Sequence, residues 1–209
     1  ASGMGLPVAK LLCASNSNKV LFDFFTTGTY DRNRDFILTS SPSMDILISS
    51  NLERLIYHIS GNDSAATAAL MKDLSEKGSY AITDQMKEGL SLFEGGYATE
   101  EETAAAIRRL YEADGYVIDP HTAVAVHVYD AYRSKTGDTT PAVIASTASP
   151  FKFENSVMRA LGEPAELPDL ELADRLSEKA GVPVPEAVNV LRTAPVRHNI
   201  VCGQEGMKE

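Results

Sequence analysis

Pro141-Ala-Val-Ile-Ala-Ser-Thr-Ala-Ser-Pro-Phe-Lys-Phe-Glu-Asn-Ser-Val157 is the stretch whose reading decides the fold. Pro141 to Ala145 predicts a short buried strand, followed by a turn of very small polar residues and then a helix. Ser149 is placed to be its N-cap and Pro150 its first residue, where the missing N–H costs nothing. A short apolar run without alternation suits a parallel sheet covered on both faces. In such sheets ligands sit beyond the carboxyl ends of the strands, against helix N-termini. Ser146, Thr147, Ala148 and Ser149 fall at that position. Their small side chains would let a flat ligand approach the backbone while the hydroxyls bond it. The same residues would also serve a tight turn that needs small side chains only for packing.

Working outward, 209 residues are enough for one large or two small domains with a sizeable core. No apolar run approaches membrane-spanning length, and no charged segment followed by an apolar stretch opens the chain. The net charge of −10, with no basic cluster beyond Arg32 and Arg34, disfavours a nucleic-acid partner, which needs a basic face. Cys13 and Cys202 do not make a disulfide framework, which fits a reducing cytoplasm. Gly3 or Gly5 reads as the residue that stops a helix, directly before an apolar strand. A chain opening on the last turn of a helix is expected to be a fragment.

Taken in order, Val8–Ala14 predicts a first strand ending in the polar cluster Ser15-Asn-Ser-Asn18. Val20, Leu21, Phe24 and Phe25 share one face of a helix stopped by Gly28. Thr29–Asp35 reads as a loop whose arginines form an anion site or simply lie beside Asp31 and Asp35. A turn-like Ser41–Asp45 segment leads into a helix with the stripe Ile48, Leu52, Leu55, Ile56 and Ile59. Asn51 and Arg54, three apart, are neighbours on that helix: a phosphate or carboxylate clamp, or an ordinary surface pair. Asp63 or Ser64 caps a helix to about Lys77, and Ser79–Thr83 is a candidate strand. A short helix runs through Phe93 to a Gly95-Gly96 break. Thr99 and Glu102 make a capping box. Tyr116–Ile118 predicts a strand, and Asp119-Pro120 opens a helix with Val124 and Val128 inward. Leu170–Lys179 and Pro185–Arg192 read as helices before a polar tail. Strands separated by helices imply an α/β unit, mostly parallel, with helices on both faces.

No GxSxG, Walker, CxxC or zincin pattern occurs, and His121 and His127 lack metal-ligand spacing. A set of ordered motifs goes further. Leu6-Pro-Val8, Cys13-Ala-Ser-Asn16, Ser41-Pro-Ser-Met-Asp-Ile46, Asn51-Leu-Glu-Arg54, Gly115-Tyr116, Asp119-Pro-His-Thr-Ala-Val124 and Ser146-Thr-Ala-Ser-Pro-Phe-Lys-Phe153 follow the order found in threonine synthases. The chain resembles the C-terminal portion of that family from residue 1 to about 195. The resemblance implies a fold-type-II pyridoxal-phosphate enzyme, tryptophan synthase β-like. It also implies the conversion of O-phospho-L-homoserine and water to L-threonine and phosphate.

The resemblance divides the chain into residues 1–162, half of the cofactor-binding α/β domain, and 163–209, a helical extension. It implies that Thr147 partners the pyridine nitrogen, with Ser146 and Ala148 along the ring edge. Ser43, Asp45, Asn51 and Arg54 match motif positions near the substrate. The family's Schiff-base lysine and its Gly-Asn-x-Gly phosphate loop belong to an upstream portion with no counterpart here. Lys152 matches the lysine of the small-residue motif, not the Schiff-base position. No catalytic residue is therefore assigned; the partner expected is the missing N-terminal half, and the fragment alone is expected to be inactive. Two alternatives stand beside this: a threonine-synthase-like phospholyase, and a non-catalytic half-domain binding a partner or small anion.

Overall fold

A parallel strand pair held between two helices positions the site. The computed structural model describes residues 2–208. Strand β1, Leu11–Ser15, lies parallel to β4, Phe93–Tyr97, with Leu11 opposite Phe93 and Ser15 opposite Tyr97. Side chains alternate faces along a strand, so Gly95 and Gly96 look in opposite directions. A Cβ on Gly95 would lie 3.1 Å from Phe22 Cα and Phe25 Cβ of helix α1, Val20–Thr27. A Cβ on Gly96 would lie 2.5 Å from Val128 Cγ1 of helix α6, Pro120–Thr136. The two glycines let both helices settle against the pair, as a buried parallel sheet requires.

The second pair is antiparallel. β2, Thr29–Asp31, meets β3, Ser79–Ala81, with Tyr30 opposite Tyr80 and their rings stacked at 5.4 Å. Around it pack α1, α2 (Leu52–Ile59), α3 (Ser64–Lys77) and the short α4 (Asp84–Glu88), burying Val20, Phe24, Ile56 and Leu74. A second core joins α5 (Glu100–Asp114), α6, α7 (Glu154–Ala160) and α8 (Asp169–Ala180) through Ile107, Ala123, Val157, Leu172 and Leu176. A short α9, Glu186–Asn189, follows, and residues 191–200 are exposed. Among the described residues, no helix is long and apolar enough to cross a membrane.

The helix ends follow their caps. Asp63 accepts from the Ala65 and Ala66 N–H groups, and Thr99 with Glu102 forms the reciprocal capping box. The strands differ from expectation. Pro141–Ala145 has no regular structure, and Val143 is 98% exposed; a strand exists only with a pairing partner, and among the described residues none reaches this run. Tyr116–Ile118 is likewise irregular, with Val117 and Ile118 buried as an apolar entry to α6. Gly95-Gly96 is the middle of β4, not a break, and the helix before it stops at Glu88. Thr29–Asp31 is paired, not loop. Ile48 lies outside α2, half exposed. The expected mostly parallel sheet is one parallel and one antiparallel pair. Ser149 does cap, accepting from Phe151 N–H, but the turn Pro150–Lys152 is 3-10 and α7 begins at Glu154.

Candidate functional site

β1 ends in a buried polar cluster. Ser15, Asn16 and Asn18 are at most 6% exposed, so their polar atoms need partners inside the protein. Asn18 grips the Ile37 peptide at both ends, accepting its N–H at 2.9 Å and donating to its carbonyl at 2.7 Å. Asn16 Nδ2 lies 2.7 Å from Asp45 Oδ1 and 2.8 Å from Thr39 Oγ1. Asp45 also accepts from Asn18 Nδ2 at 3.1 Å, the Thr39 hydroxyl at 2.7 Å and the Thr39 N–H at 3.0 Å. Both Asp45 oxygens are therefore committed to folding residues 37–45 over the end of β1. That cluster presents Ser43, in a 3-10 turn spanning Pro42–Met44, at the surface.

The N-terminus of α6 meets this segment. Asp119, its N-cap, is 1% exposed and accepts from His121 N–H at 2.9 Å. Its Oδ1 lies 2.9 Å from His121 Nδ1, while the Ser43 N–H donates to His121 Nε2 at 3.2 Å. A ring that accepts at Nε2 carries its proton on Nδ1, which is then given to Asp119. Phe153 packs against the imidazole, centroids 4.8 Å apart. On the other oxygen, the Thr122 hydroxyl donates to Asp119 Oδ2 at 2.5 Å, and Thr122 Oγ1 lies 3.1 Å from Ser146 Oγ. The carboxylate is the stronger acceptor for the Thr122 hydroxyl, and Ser146 Oγ is its second acceptor.

The structure thus brings Ser43, Asp45 and Ser146 into one connected region beyond the strand ends. Thr147 and Ala148 follow Ser146; Thr147 is exposed, and among the described residues its hydroxyl has no hydrogen bond. Asn51, the N-cap of α2, and Arg54 do pair, Nη2 to Oδ1 at 2.9 Å, at the exposed start of that helix, and among the described residues no hydrogen bond joins them to this region. Arg34 pairs with Asp23 at 2.6 Å and Arg32 donates to the Ser75 carbonyl at 3.0 Å, so the arginine loop is tied to its own surroundings. Among the described residues no cluster of three or more His, Cys, Asp or Glu could hold a metal. A depression of about 480 Å³ lies elsewhere, beside Arg109, Asp130 and Asp138. Its charges are partly spent: Arg109 pairs with Asp130, and Tyr132 donates to Asp138 at 2.8 Å.

Asp119, His121, Thr122, Asn16 and Asn18 are the participants that sequence reasoning did not single out. Their signal was weak because each polar residue already had a local explanation as cap or turn former. Two titrating groups lie outside the region. Burial pushes the Cys13 thiol up to about 11. The Thr99 N–H holds the Glu102 carboxyl below its usual range, with burial opposing and His127 assisting.

The profile of the family described as "Threonine synthase, C-terminal" matches residues 122–194. "Threonine synthase-like 1" of Mus musculus is 45% identical over 164 residues, 78% of this chain and 22% of that protein. The crystal structure of PLP-bound threonine synthase from Brucella melitensis aligns with a TM-score of 0.73 at 38% identity, covering 88% of this chain and 38% of that one. Yeast threonine synthase aligns with a TM-score of 0.79 at 32% identity, covering 93% of this chain and 39% of that one. The chain therefore spans well under half the length of these relatives, and its α/β arrangement matches part of theirs. By sequence and structure alike, the chain belongs to the threonine synthase family and corresponds to the C-terminal portion of its members.

Proposed function

We propose that this chain supplies one side of the pyridoxal-phosphate site of a threonine synthase, whose complete form converts O-phospho-L-homoserine and water to L-threonine and phosphate. The observation that carries the reading is the convergence of the Ser43 segment, the α6 N-terminus and the Ser146 turn beyond the β1/β4 strand ends. The cofactor, when bound, supplies an electron sink for carbanions. The residues fit a non-covalent edge of it. Thr147 offers an exposed, unbonded hydroxyl to the pyridine nitrogen, and Ala148 leaves room beside the ring. A hydroxyl partner makes a neutral hydrogen bond and leaves the ring nitrogen unprotonated, where a carboxylate would hold a proton on it.

Ser43, Asn51 and Arg54 face the substrate side, with Arg54 and Asn51 suited to an anionic group. Asp45 belongs to the same side by ordering the segment that carries Ser43. Residues 1–162 form part of the cofactor-binding domain and 163–209 a helical extension. The lysine that anchors the cofactor and the loop that cradles its phosphate come from the N-terminal portion of the enzyme, which is this chain's partner. The complete protein works in the cytoplasm, in keeping with two free cysteines.

Expressed with its upstream coding sequence, the protein should release phosphate from O-phospho-L-homoserine and yield threonine, and the 209-residue chain alone should release none. Phosphate release by the chain alone would sink the incomplete-site reading. A second reading is a phospholyase acting on a related amino-acid phosphate ester. Phosphate release without threonine would select it. An upstream sequence with no lysine segment would instead favour a non-catalytic half-domain.

A further inference from the structure

One buried carboxylate touches both arms of the candidate site. We propose that Asp119 is its positioning residue: through His121 it holds the Ser43 segment, and through Thr122 it anchors the Ser146 turn. The inference deepens the reading of Ser146 as a ligand contact and rests on it for its functional meaning.

The geometry divides the work between the two oxygens. Asp119 Oδ1, 2.9 Å from His121 Nδ1, keeps the proton on that nitrogen and leaves Nε2 as a lone pair for the Ser43 N–H at 3.2 Å. Asp119 Oδ2 takes the Thr122 proton at 2.5 Å. Thr122 Oγ1 also lies 3.1 Å from Ser146 Oγ, so the hydroxyl held by Asp119 is the one that reaches the Ser146 turn. Ser43 and Ser146 are 78 and 24 residues from their partners on α6, yet a single helical turn holds both. Asp119, His121 and Thr122 are all under 8% exposed, so solvent does not compete for the bonds among these three, while Ser43 and Ser146 lie at the surface.

Asp119→Asn separates positioning from mere capping. Asn is as good an N-cap as Asp, so the helix start survives. Its carbonyl still accepts from His121 Nδ1, but its amide now donates to Thr122, which must turn its own proton to Ser146. Thr122 thus loses its carboxylate acceptor while the fold stays.

The test is NMR on the labelled 209-residue chain. The wild type should show the Nδ1-protonated tautomer of His121 and a downfield, slowly exchanging Thr122 hydroxyl proton. Asp119→Asn should keep the tautomer and lose the hydroxyl signal. His121→Phe, which preserves the contact with Phe153, should speed exchange of the Ser43 amide by roughly tenfold. Thr122→Val should leave that amide protected. An Nε2-protonated His121 in the wild type would overturn the inference without any variant. So would a hydroxyl signal that survives Asp119→Asn, or loss of Ser43 protection in Thr122→Val. None of these readouts needs the cofactor, so they succeed or fail separately from the cofactor reading.

Discussion

Gly96→Ala should destabilise the chain through one identifiable collision. The added Cβ falls 2.5 Å from Val128 Cγ1 and 3.1 Å from Cγ2, against a comfortable separation of about 3.5–4.0 Å. Val128 cannot easily yield. It is 6% exposed in the middle of α6, and a β-branched side chain in a helix has one favoured rotamer. The strand cannot retreat either, because Gly95 already lies against Phe22 and Phe25 on the opposite face. Overpacking of this kind costs about 1–3 kcal/mol. Replacing a strand glycine returns roughly 0.5–1 kcal/mol of backbone entropy, leaving a net loss of about 1–2 kcal/mol.

Val128→Ala alone should cost roughly 1.5 kcal/mol for two buried methyls. In the double variant the new methyl occupies space those methyls vacate. Urea unfolding followed by far-UV circular dichroism, suited to a chain without tryptophan, should show the double variant more stable than the sum of the singles by at least about 1 kcal/mol. Additivity to within about 0.5 kcal/mol would refute the packing of α6 on β4 described above.

Other outcomes follow from caps and titrating groups. Thr99→Ala, which removes one half of the capping box, should cost about 1 kcal/mol in the same unfolding assay. Because the Glu102 carboxyl is held below its usual range, its contribution is present above the ordinary carboxylate pKa and is lost as pH falls through the lowered one. Glu102→Gln should therefore flatten that acid limb of the stability profile. The Cys13 thiol runs the other way: raised to about 11, it holds its proton where the unfolded thiol has lost it, so stability declines as pH rises from 9.0 toward 11. Iodoacetamide at neutral pH should label exposed Cys202 in the native chain and reach Cys13 only on unfolding, as peptide mapping would show.

What could be read ahead of the structure was local. Asp63, Thr99 and Asp119 announce helix starts, and Gly28, Gly78, Gly115 and Gly137 take the left-handed conformation that ends helices. Each signal lies within four residues of what it controls. Strands depend on distant partners, and there the reading failed. Ala142-Val-Ile144 has strand composition but nothing beside it to pair with, whereas Gly95-Gly96 has turn composition but β1 on one side and a helix on each face. The candidate site divides the same way. Ser43, Asp45 and Ser146 were visible as motif members, but the carboxylate connecting them was read as an N-cap, which it also is.

The most direct test of the central claim is the distance from Thr147 Oγ1 to the pyridine nitrogen in a crystal structure of the complete, cofactor-bound protein. The expected result is a hydrogen bond of about 2.7–3.2 Å, with the cofactor's covalent lysine lying outside the present 209 residues. A pyridine nitrogen paired with a different side chain, or a cofactor anchored on Lys152, would contradict it.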